Sequence, residues 1–267
     1  MKERLDVLLV QQGYFQSRER AKIAIMEGIV FVDGQRSDKA GTKIDVESAI
    51  EVRGNTCPYV SRGGYKLEKS IKEFGLDLEG KICMDIGAST GGFTDCMLQN
   101  GASRVYSVDV GYGQLDWKLR TDPRVVNIEK CNIRYIDPSL IKDPVDFISI
   151  DVSFISLKLV LPVAVQFLRD GGRIVCLVKP QFEAGREQVG KNGIVRDPEV
   201  HKQVIEKAEG YAADNGLSVM GLTWSPVTGA KGNIEFLLCV GKNQNLRYNS
   251  LSAEETVTSA HRELAVR

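Results

Sequence analysis

The fold is decided by a segment near the middle of the chain, Asp85-Ile86-Gly87-Ala88-Ser89-Thr90-Gly91-Gly92-Phe93. An apolar run, Ile82–Ile86, leads into this segment and predicts a buried strand, and Gly91-Gly92 predicts the beginning of a helix. The small residues between them let the backbone approach a ligand closely, and the free amide groups of a helix N-terminus can receive an anionic group. We therefore predict a strand, a ligand-binding turn and a helix at this point.

Further strands and helical stretches alternate after this segment. Four more apolar runs predict strands, and two late runs joined by a turn-rich connection predict an antiparallel pair: Val105–Asp109, Val125–Ile128, Phe147–Asp151, Ile174–Val178, Ser218–Thr223 and Ile234–Val240. Such alternation is typical of a parallel sheet with helices on both faces. We predict an α/β fold with a Rossmann-like seven-stranded sheet, in which ligands bind at the carboxyl ends of the strands.

The N-terminal segment 1–55 has a different pattern and predicts a small, separate α+β domain. Apolar residues at helical spacing predict one helix from Leu5, and Ser17 can cap a second. The runs 29–32 and 49–52 predict strands. The changes in composition place the predicted boundaries as follows: an N-terminal domain at 1–55, a linker at 56–61, the larger domain at 62–245 and a polar C-terminal tail at 246–267.

The composition excludes several classes of protein. Lys and Arg (35) balance Asp and Glu (35), which argues against a general nucleic-acid coat protein but leaves room for a local basic face. The six cysteines include no Cys-x-x-Cys pair and predict reduced thiols, and two histidines cannot build a His-rich zinc cluster, so we expect no metal. Without a signal-peptide pattern or an apolar run of roughly 18 residues, we expect a cytoplasmic protein that does not contact membranes.

The glycine loop favours S-adenosylmethionine as the ligand. The loop does not have the Gly-x-Gly-x-x-Gly pattern of dinucleotide sites, and it lacks the lysine of a phosphate-binding loop. The second predicted strand ends at Asp109, whose carboxylate can accept hydrogen bonds from ribose hydroxyls. A NAD site would permit the same acid, so the loop alone leaves a NAD-dependent enzyme as an alternative.

Four charged residues occur where the predicted sheet can bring them together. Asp151 and Lys179 end the fourth and fifth strands, Lys66 lies on a helix before the first strand, and Glu235 enters the last strand. A charge at the end of an apolar strand needs a partner or a function, because burying an isolated charge is costly. For any one of them a solvated strand end is an equal alternative, but two adjacent strands that both end this way favour a functional site.

Five motifs in this order resemble the TlyA family of ribosomal RNA 2′-O-methyltransferases, whose members are often labelled hemolysins. The resemblance covers nearly the whole chain and is carried by Ser61-Arg62-Gly63-Gly64-Tyr65-Lys66-Leu67, Asp85 to Asp95, Asp151-Val152-Ser153-Phe154-Ile155-Ser156-Leu157, Val178-Lys179-Pro180-Gln181-Phe182-Glu183 and Lys231-Gly232-Asn233-Ile234-Glu235-Phe236. The larger domain also resembles the wider FtsJ (RrmJ) group of methyltransferases, and the segment 1–55 resembles the RNA-binding module of ribosomal protein S4.

The resemblance implies a catalytic tetrad of Lys66, Asp151, Lys179 and Glu235. It also implies methyl transfer from S-adenosylmethionine to a ribose 2′-hydroxyl, with cytidine in small- and large-subunit rRNA as the acceptor. A hydroxyl must lose its proton as the methyl group arrives, and a lysine can serve as the general base. Lys179 is our candidate, with Asp151 orienting it and with Lys66 and Glu235 positioning the ribose. Since Asp151 is not followed by Pro-Pro, methylation of amino groups is disfavoured.

The resemblance also implies the contacts to the cofactor. Many members of the wider group place an aspartate after the third strand to hold the adenine amino group, and Asn132 stands there in this chain. Its amide oxygen can accept the same hydrogen bond without the charge. The predicted cofactor contacts are Asp85, Gly87, Ser89, Gly91, Gly92, Phe93, Asp109 and Asn132.

A phosphate-binding face on the N-terminal domain would have to come from the arrangement of its charges, because nine Lys/Arg balance nine Asp/Glu in residues 1–60. The predicted RNA contacts are Arg4, Arg18, Arg20, Lys22 and, in the larger domain, Arg62. Two alternatives stay open beside the dehydrogenase: an RNA- or ribosome-binding protein whose methyltransferase domain has lost its activity, and a pore-forming hemolysin. The sequence leaves the oligomeric state open.

Overall fold

The computed structural model describes residues 1–15, 17–53, 57–243 and 252–264. The chain divides into two compact units, Met1–Ser61 and Arg62–Arg267. The first residue of the predicted linker and all of the predicted tail except 252–264 lie outside the described residues. Among the described residues, no helix combines the length and the apolar character needed to span a membrane.

The first unit combines two helices with two small antiparallel sheets. Strand β2 lies between β3 and β5, and β1 pairs with β4. As predicted, Ser17 caps the second helix by accepting a hydrogen bond from the backbone amide of Arg20, and Gly28 ends it in the left-handed conformation. The elements are β1 (Lys2–Arg4), α1 (Leu5–Gln11), α2 (Arg18–Glu27), β2 (Val30–Val32), β3 (Gln35–Arg36), β4 (Lys43–Asp45) and β5 (Ile50–Val52).

The second unit contains the predicted seven-stranded sheet, in the order β11-β12-β10-β9-β6-β7-β8. The pairs among β6 to β10 are parallel, whereas β12 runs antiparallel to both β10 and β11, which confirms the predicted closing pair. The strands are β6 (Ile82–Ile86), β7 (Arg104–Val108), β8 (Val125–Ile128), β9 (Val145–Ile150), β10 (Leu168–Val178), β11 (Leu217–Trp224) and β12 (Phe236–Lys242). The helices are α3 (Gly63–Glu73), α4 (Gly92–Gln99), α5 (Trp117–Arg120), α6 (Leu157–Phe167), α7 (Pro180–Glu183), α8 (Pro198–Asp214) and α9 (Ala253–Leu264).

The central strands are apolar because both of their faces are buried. Ile148 of β9 and Ile174 of β10 are fully buried on one face, and their neighbours Phe147 and Val175, which point to the opposite face, are buried as well. Burial of such side chains supplies the main favourable free energy of folding, at roughly 25 cal/mol for each Å² of apolar surface. A rigid sheet of this kind fixes the residues that follow its strands.

The two histidines of the chain form a pair that joins α8 to α9. Nδ1 of the fully buried His201 lies 2.9 Å from Nε2 of His261, and its Nε2 lies 3.1 Å from the carbonyl oxygen of Val195. A carbonyl group only accepts, so this network assigns the proton of His201 to Nε2 and makes His261 the donor to Nδ1. A second proton on His201 would sit on Nδ1 and point at the N–H group of His261. The pair therefore disfavours the charged form of His201. Burial lowers the pKa of His201 to about 4.

We expect this pair to make the protein less stable in mild acid. Between pH 6.5 and 4 the unfolded chain binds a proton at His201 that the folded chain excludes, so the free energy of unfolding falls as the pH drops through this window. The full effect is roughly 3 kcal/mol. Because the raised pKa values of buried Asp85 and Glu183 act in the opposite direction, the test compares wild type with His201→Phe. Urea unfolding should give a smaller loss of stability for the variant over this window; parallel curves would contradict the assignment.

Candidate active site

The sheet brings three charged residues to one edge. Asp151 follows β9 and Lys179 follows β10, and parallel strands end at the same edge. Strand β12 is antiparallel and begins at this edge, where Phe236 pairs with Val178. Glu235 therefore lies beside Lys179. It immediately precedes β12, whereas the sequence pattern predicts it within that strand.

The four predicted tetrad residues form one continuous network of charges. The Lys179 ammonium lies 2.5 Å from Oδ1 of Asp151, and the Lys66 ammonium lies 3.9 Å from Oδ2 of the same carboxylate. Lys66 also donates a hydrogen bond of 2.6 Å to Oε2 of Glu235. Lys66, Lys179 and Glu235 are all buried. Two ammonium groups and two carboxylates balance, as buried charges require.

The surroundings of Lys66 keep it charged. Burial opposes the charged form, but the carboxylates of Asp151 and Glu235 outweigh it, and the pKa of Lys66 is raised above its ordinary value. An ammonium with a raised pKa is a poor proton acceptor at neutral pH. The geometry therefore gives Lys66 the role of a fixed positive charge beside Glu235.

A cavity of 710 Å³ opens at the same edge of the sheet. This volume lies within the range of roughly 300–1,000 Å³ found for small-molecule and cofactor sites. Five of the residues singled out in the sequence line it: Gly87, Ser89, Asp109, Asn132 and Asp151. Asp151 thus belongs both to the charged network and to the wall of the cavity.

The first turn of the glycine loop is built for close approach. Gly87 has a φ of 88°, and a Cβ atom there would collide with the carbonyl oxygen of Asp151. Asp109 accepts a hydrogen bond from each of two backbone amides, that of Ser89 and that of Gly111, both at 2.7 Å. These bonds fix the Asp109 carboxylate at the cavity wall and leave lone pairs on both oxygens for a ligand.

Four of the eight predicted cofactor contacts are buried and absent from the described cavity lining. Asp85 is fully buried and accepts hydrogen bonds from Thr94 Oγ1 (2.7 Å) and Ser149 Oγ (2.9 Å), and burial raises the pKa of Asp85 to about 6. The Asp85 side chain thus joins β6 to α4 and β9 and is absent from the described cavity lining, so its contact with the cofactor stays a prediction. Three further predicted contacts, Gly91, Gly92 and Phe93, are buried and lie outside the cavity lining as described.

Asn132 lines the cavity, but its amide oxygen already has a partner. Oδ1 accepts a hydrogen bond of 3.1 Å from the backbone amide of Arg134 and so caps a short 3-10 helix at Ile133–Tyr135. The adenine contact was predicted through this oxygen. In the structure the oxygen keeps one further lone pair, and the Asn132 NH₂ group is available as a donor.

Three of the five predicted RNA-binding residues are occupied within the first unit. Arg4 and Arg18 both bind the buried carboxylate of Asp6, whose pKa is lowered to about 2, chiefly by the hydrogen bonds from Arg4 and against the effect of burial. Arg20 donates a hydrogen bond of 2.8 Å to the carbonyl oxygen of Cys57.

The other two predicted RNA contacts are less constrained. Lys22 is half-buried and Arg62 is exposed, and neither side chain has a hydrogen bond or ion pair within the described ranges. Arg4 and Arg18 keep nearly half of their side-chain surface exposed. Within the first unit, Arg4, Arg18 and Arg20 are therefore held in place by internal contacts, whereas Lys22 has no such contact among the described residues.

Sequence reasoning missed two residues next to the tetrad. Lys179 donates a hydrogen bond of 3.1 Å to Oγ of Ser153, and the side chain of Phe154 is 91% exposed at the cavity wall. Both residues belong to a motif quoted above, but a single sequence gives no reason to separate them from their neighbours. An exposed phenylalanine in a left-handed conformation, with φ of 63°, is visible only in the folded chain.

The chain matches two protein families over most of its length. Residues 59–242 match the FtsJ-like methyltransferase family, and residues 3–50 match the S4 domain. The match to the first family includes the cavity, the glycine loop and all four members of the charged network.

Three similar proteins match most or nearly all of the chain. A Bacillus subtilis protein described as an rRNA methyltransferase, YqxC, is 57% identical over 238 residues, which are 89% of this chain and 85% of that protein. The 16S/23S rRNA (cytidine-2′-O)-methyltransferase TlyA of Mycobacterium tuberculosis is 40% identical over 263 residues, or 98% of this chain and 97% of that protein. A solved structure of a protein described as a hemolysin, from Streptococcus thermophilus, has a TM-score of 0.80 and 51% identity, and the match covers 99% of this chain and 98% of that chain.

Proposed function

The chain belongs to the TlyA family of FtsJ-like methyltransferases, and we propose that it methylates a ribose 2′-hydroxyl of ribosomal RNA, at cytidine, with S-adenosylmethionine as the methyl donor. One observation carries the proposal: the Lys179 ammonium and the Asp151 carboxylate meet at 2.5 Å on the edge of the cavity. A hydroxyl acceptor needs a group that takes its proton at that edge, and Lys179 can do so once its ammonium has released a proton and become a neutral amine.

The residues that line the cavity fit S-adenosylmethionine. Gly87 lets the glycine loop pack directly against the backbone of Asp151, where a Cβ atom would collide, and this close packing shapes the wall of the cavity. Asp109 offers acceptors for ribose hydroxyls, Asn132 offers a donor and an acceptor for adenine, and Asp151 offers negative charge for a cationic group. Bound there, S-adenosylmethionine supplies an electrophilic methyl group. We propose Gly87, Ser89, Asp109 and Asn132 as its contacts.

We propose Lys179 as the general base for the ribose hydroxyl. Asp151 and Ser153 hold its Nζ atom from two sides, so the direction of its remaining hydrogen-bonding position is fixed. Lys66 is less suited to the role, because it is held by the carboxylates of both Asp151 and Glu235. We propose that Lys66 and Glu235 fix the ribose and balance the charge. Alignment of the reacting groups would supply most of the acceleration, as in other reactions between two bound groups.

We propose that RNA reaches this site through phosphate contacts on both units. Lys22 and Arg62 are our candidates, since neither has a hydrogen bond or ion pair within the described parts of the chain, and Arg4 and Arg18 can add exposed positive charge. Such contacts position RNA and carry no sequence information. The match of residues 3–50 to the S4 domain supports a role for the first unit in binding RNA. A ribosomal substrate would put the enzyme in the cytoplasm.

The test supplies labelled S-adenosylmethionine with purified ribosomal subunits. We expect label in rRNA with wild type and at least about 100-fold less with Asp151→Ala, which removes the partner of Lys179. The matched control is Asp170→Ala, an exposed aspartate at the opposite edge of the sheet. Label in ribosomal proteins, or equal labelling of rRNA by the two variants, would contradict the proposal. Release of dye from lipid vesicles by the pure protein would favour the pore-forming alternative.

A further inference from the structure

The loop that follows Asp151 holds a strained conformation. Phe154 has a φ of 63°, in the left-handed region that costs a residue with a Cβ atom roughly 1–2 kcal/mol. Its ring nevertheless stands 91% exposed to solvent. A strained, exposed phenylalanine persists only where neighbouring contacts fix the backbone. The loop at 152–156 must therefore be held from both ends.

The segment that follows β10 holds this loop at three points. Lys179 donates a hydrogen bond to Ser153 at the start of the loop, and the ring of Phe182 packs against Phe154 with centroids 5.1 Å apart. At the far end, Glu183 accepts a hydrogen bond of 2.6 Å from Oγ of Ser156. One short helix, α7, thus lies along the whole loop.

Glu183 makes the firmest of these contacts. Besides Ser156, it accepts a hydrogen bond of 2.8 Å from the backbone amide of Leu157, the first residue of α6. Negative charge is stabilised at the N-terminus of a helix. The residue is only 9% exposed, and a buried carboxylate needs such donors. Burial raises the pKa of Glu183.

We propose that Glu183 is a positioning residue for the methyl transfer. By holding Ser156 and the beginning of α6, it keeps the loop at 152–156 closed against α7. Ser153 then stays on the Lys179 ammonium, and Phe154 stays at the wall of the cavity, where it can contact the acceptor nucleotide. The inference rests on the proposed function, because it assigns Glu183 a role in holding the acceptor and not the cofactor.

Steady-state kinetics of three variants test the role. We expect Glu183→Ala to raise the KM for rRNA and lower kcat, with a combined loss in kcat/KM of about 10- to 100-fold, because a small displacement of reacting groups is costly. The Kd for S-adenosylmethionine should change less than about twofold, since Glu183 lies outside the described cavity lining. Glu183→Gln should restore most of the activity, because its amide oxygen can accept from the Leu157 amide while its NH₂ group donates to Ser156.

The matched control is Asp146→Ala. Asp146 is also a carboxylate with little exposure, 11% of its side chain, that accepts a hydrogen bond from a backbone amide, that of Ile82, but it lies at the opposite edge of the sheet. A loss of stability alone would affect both alanine variants alike. If Asp146→Ala and Glu183→Ala lose kcat/KM equally, or if Glu183→Gln is as impaired as Glu183→Ala, the positioning role is wrong.

A second measurement does not depend on the enzyme's activity. Chymotrypsin cleaves after exposed aromatic residues once the local backbone opens. We expect cleavage after Phe154, followed by mass spectrometry, to be at least about fivefold faster in Glu183→Ala than in wild type, relative to cleavage after exposed Tyr112. If Glu183→Ala does not fold, Ser156→Ala should show a smaller increase at the same site. Unchanged cleavage in both variants would overturn the inference even if wild type methylates rRNA, and absence of methylation with faster cleavage would overturn only the proposed function.

Discussion

Lys179→Ala is expected to lower kcat for methyl transfer to rRNA by about 10²–10⁴-fold, the usual contribution of a general base. Its Kd for S-adenosylmethionine should stay within about threefold of wild type, because Lys179 lies outside the described cavity lining. The ribose hydroxyl would lose its proton acceptor, while Asp151 would keep the Lys66 ammonium 3.9 Å away as a partner. The measurement is single-turnover transfer of label to ribosomal subunits at saturating cofactor, with calorimetry for binding.

The control for Lys179→Ala is Lys142→Ala, since Lys142 is exposed and outside the tetrad. Thermal unfolding should show that both variants are folded. The role of Lys179 as base would be wrong if its alanine variant kept more than about a tenth of the wild-type rate. If the rate fell only because S-adenosylmethionine bound more weakly, Lys179 would have a role in binding the cofactor and not in accepting the proton of the ribose hydroxyl.

Asp109→Ala is expected to weaken binding of S-adenosylmethionine by about 100-fold, because hydrogen bonds to a charged group contribute roughly 1.5–3 kcal/mol each. The variant loses the ribose acceptors and also frees the amides of Ser89 and Gly111, so this part of the loop loses its fixed position. Calorimetric titration of the cofactor measures the effect directly. At saturating cofactor, kcat should recover to within about tenfold of wild type.

A matched control for Asp109→Ala is Asp122→Ala. Asp122 also accepts a hydrogen bond from a backbone amide, that of Arg124 at 2.9 Å, but outside the cavity. Its removal should leave the cofactor Kd unchanged. Equal weakening by the two variants, or a normal Kd for Asp109→Ala, would contradict the assignment of Asp109 to the ribose.

The sheet could be predicted because its signals are local. The apolar runs at β6, β8 and β10 are long enough to identify strands, and the glycine loop identifies the first crossover. The strands β1 and β4 were missed, since each has three residues and none of them is buried. These strands pair with residues far away in the sequence, and they show no alternation of apolar and polar residues long enough to reveal them.

The tetrad could be predicted from motifs, but its geometry depends on the topology. Glu235 reaches Lys66 because β12 runs antiparallel to β10, and a separation of 169 residues cannot be bridged by a local rule. The same limit applies to other side chains whose partners lie far away along the chain. Asp85 faces Ser149, and Arg20 faces Cys57, so each polar group found a distant partner that the sequence does not indicate.

The loop at 152–156 shows what a single sequence does not reveal. Phe154 looks like a core residue by composition, yet it is exposed because Glu183 and Phe182 hold the loop in a left-handed turn. That conformation depends on contacts between two segments that are well separated along the chain, such as the one from Ser156 to Glu183.

Alkaline hydrolysis of the methylated rRNA tests the central claim most directly. Base cleaves RNA through attack by the 2′-hydroxyl on the adjacent phosphate, so a methyl group on that oxygen blocks cleavage at the modified nucleotide. After reaction with wild type and labelled S-adenosylmethionine, we predict that the label is recovered in alkali-resistant dinucleotides that begin with cytidine. Label in mononucleotides would mean methylation of a base and would contradict the role proposed for the Lys66, Asp151, Lys179 and Glu235 network.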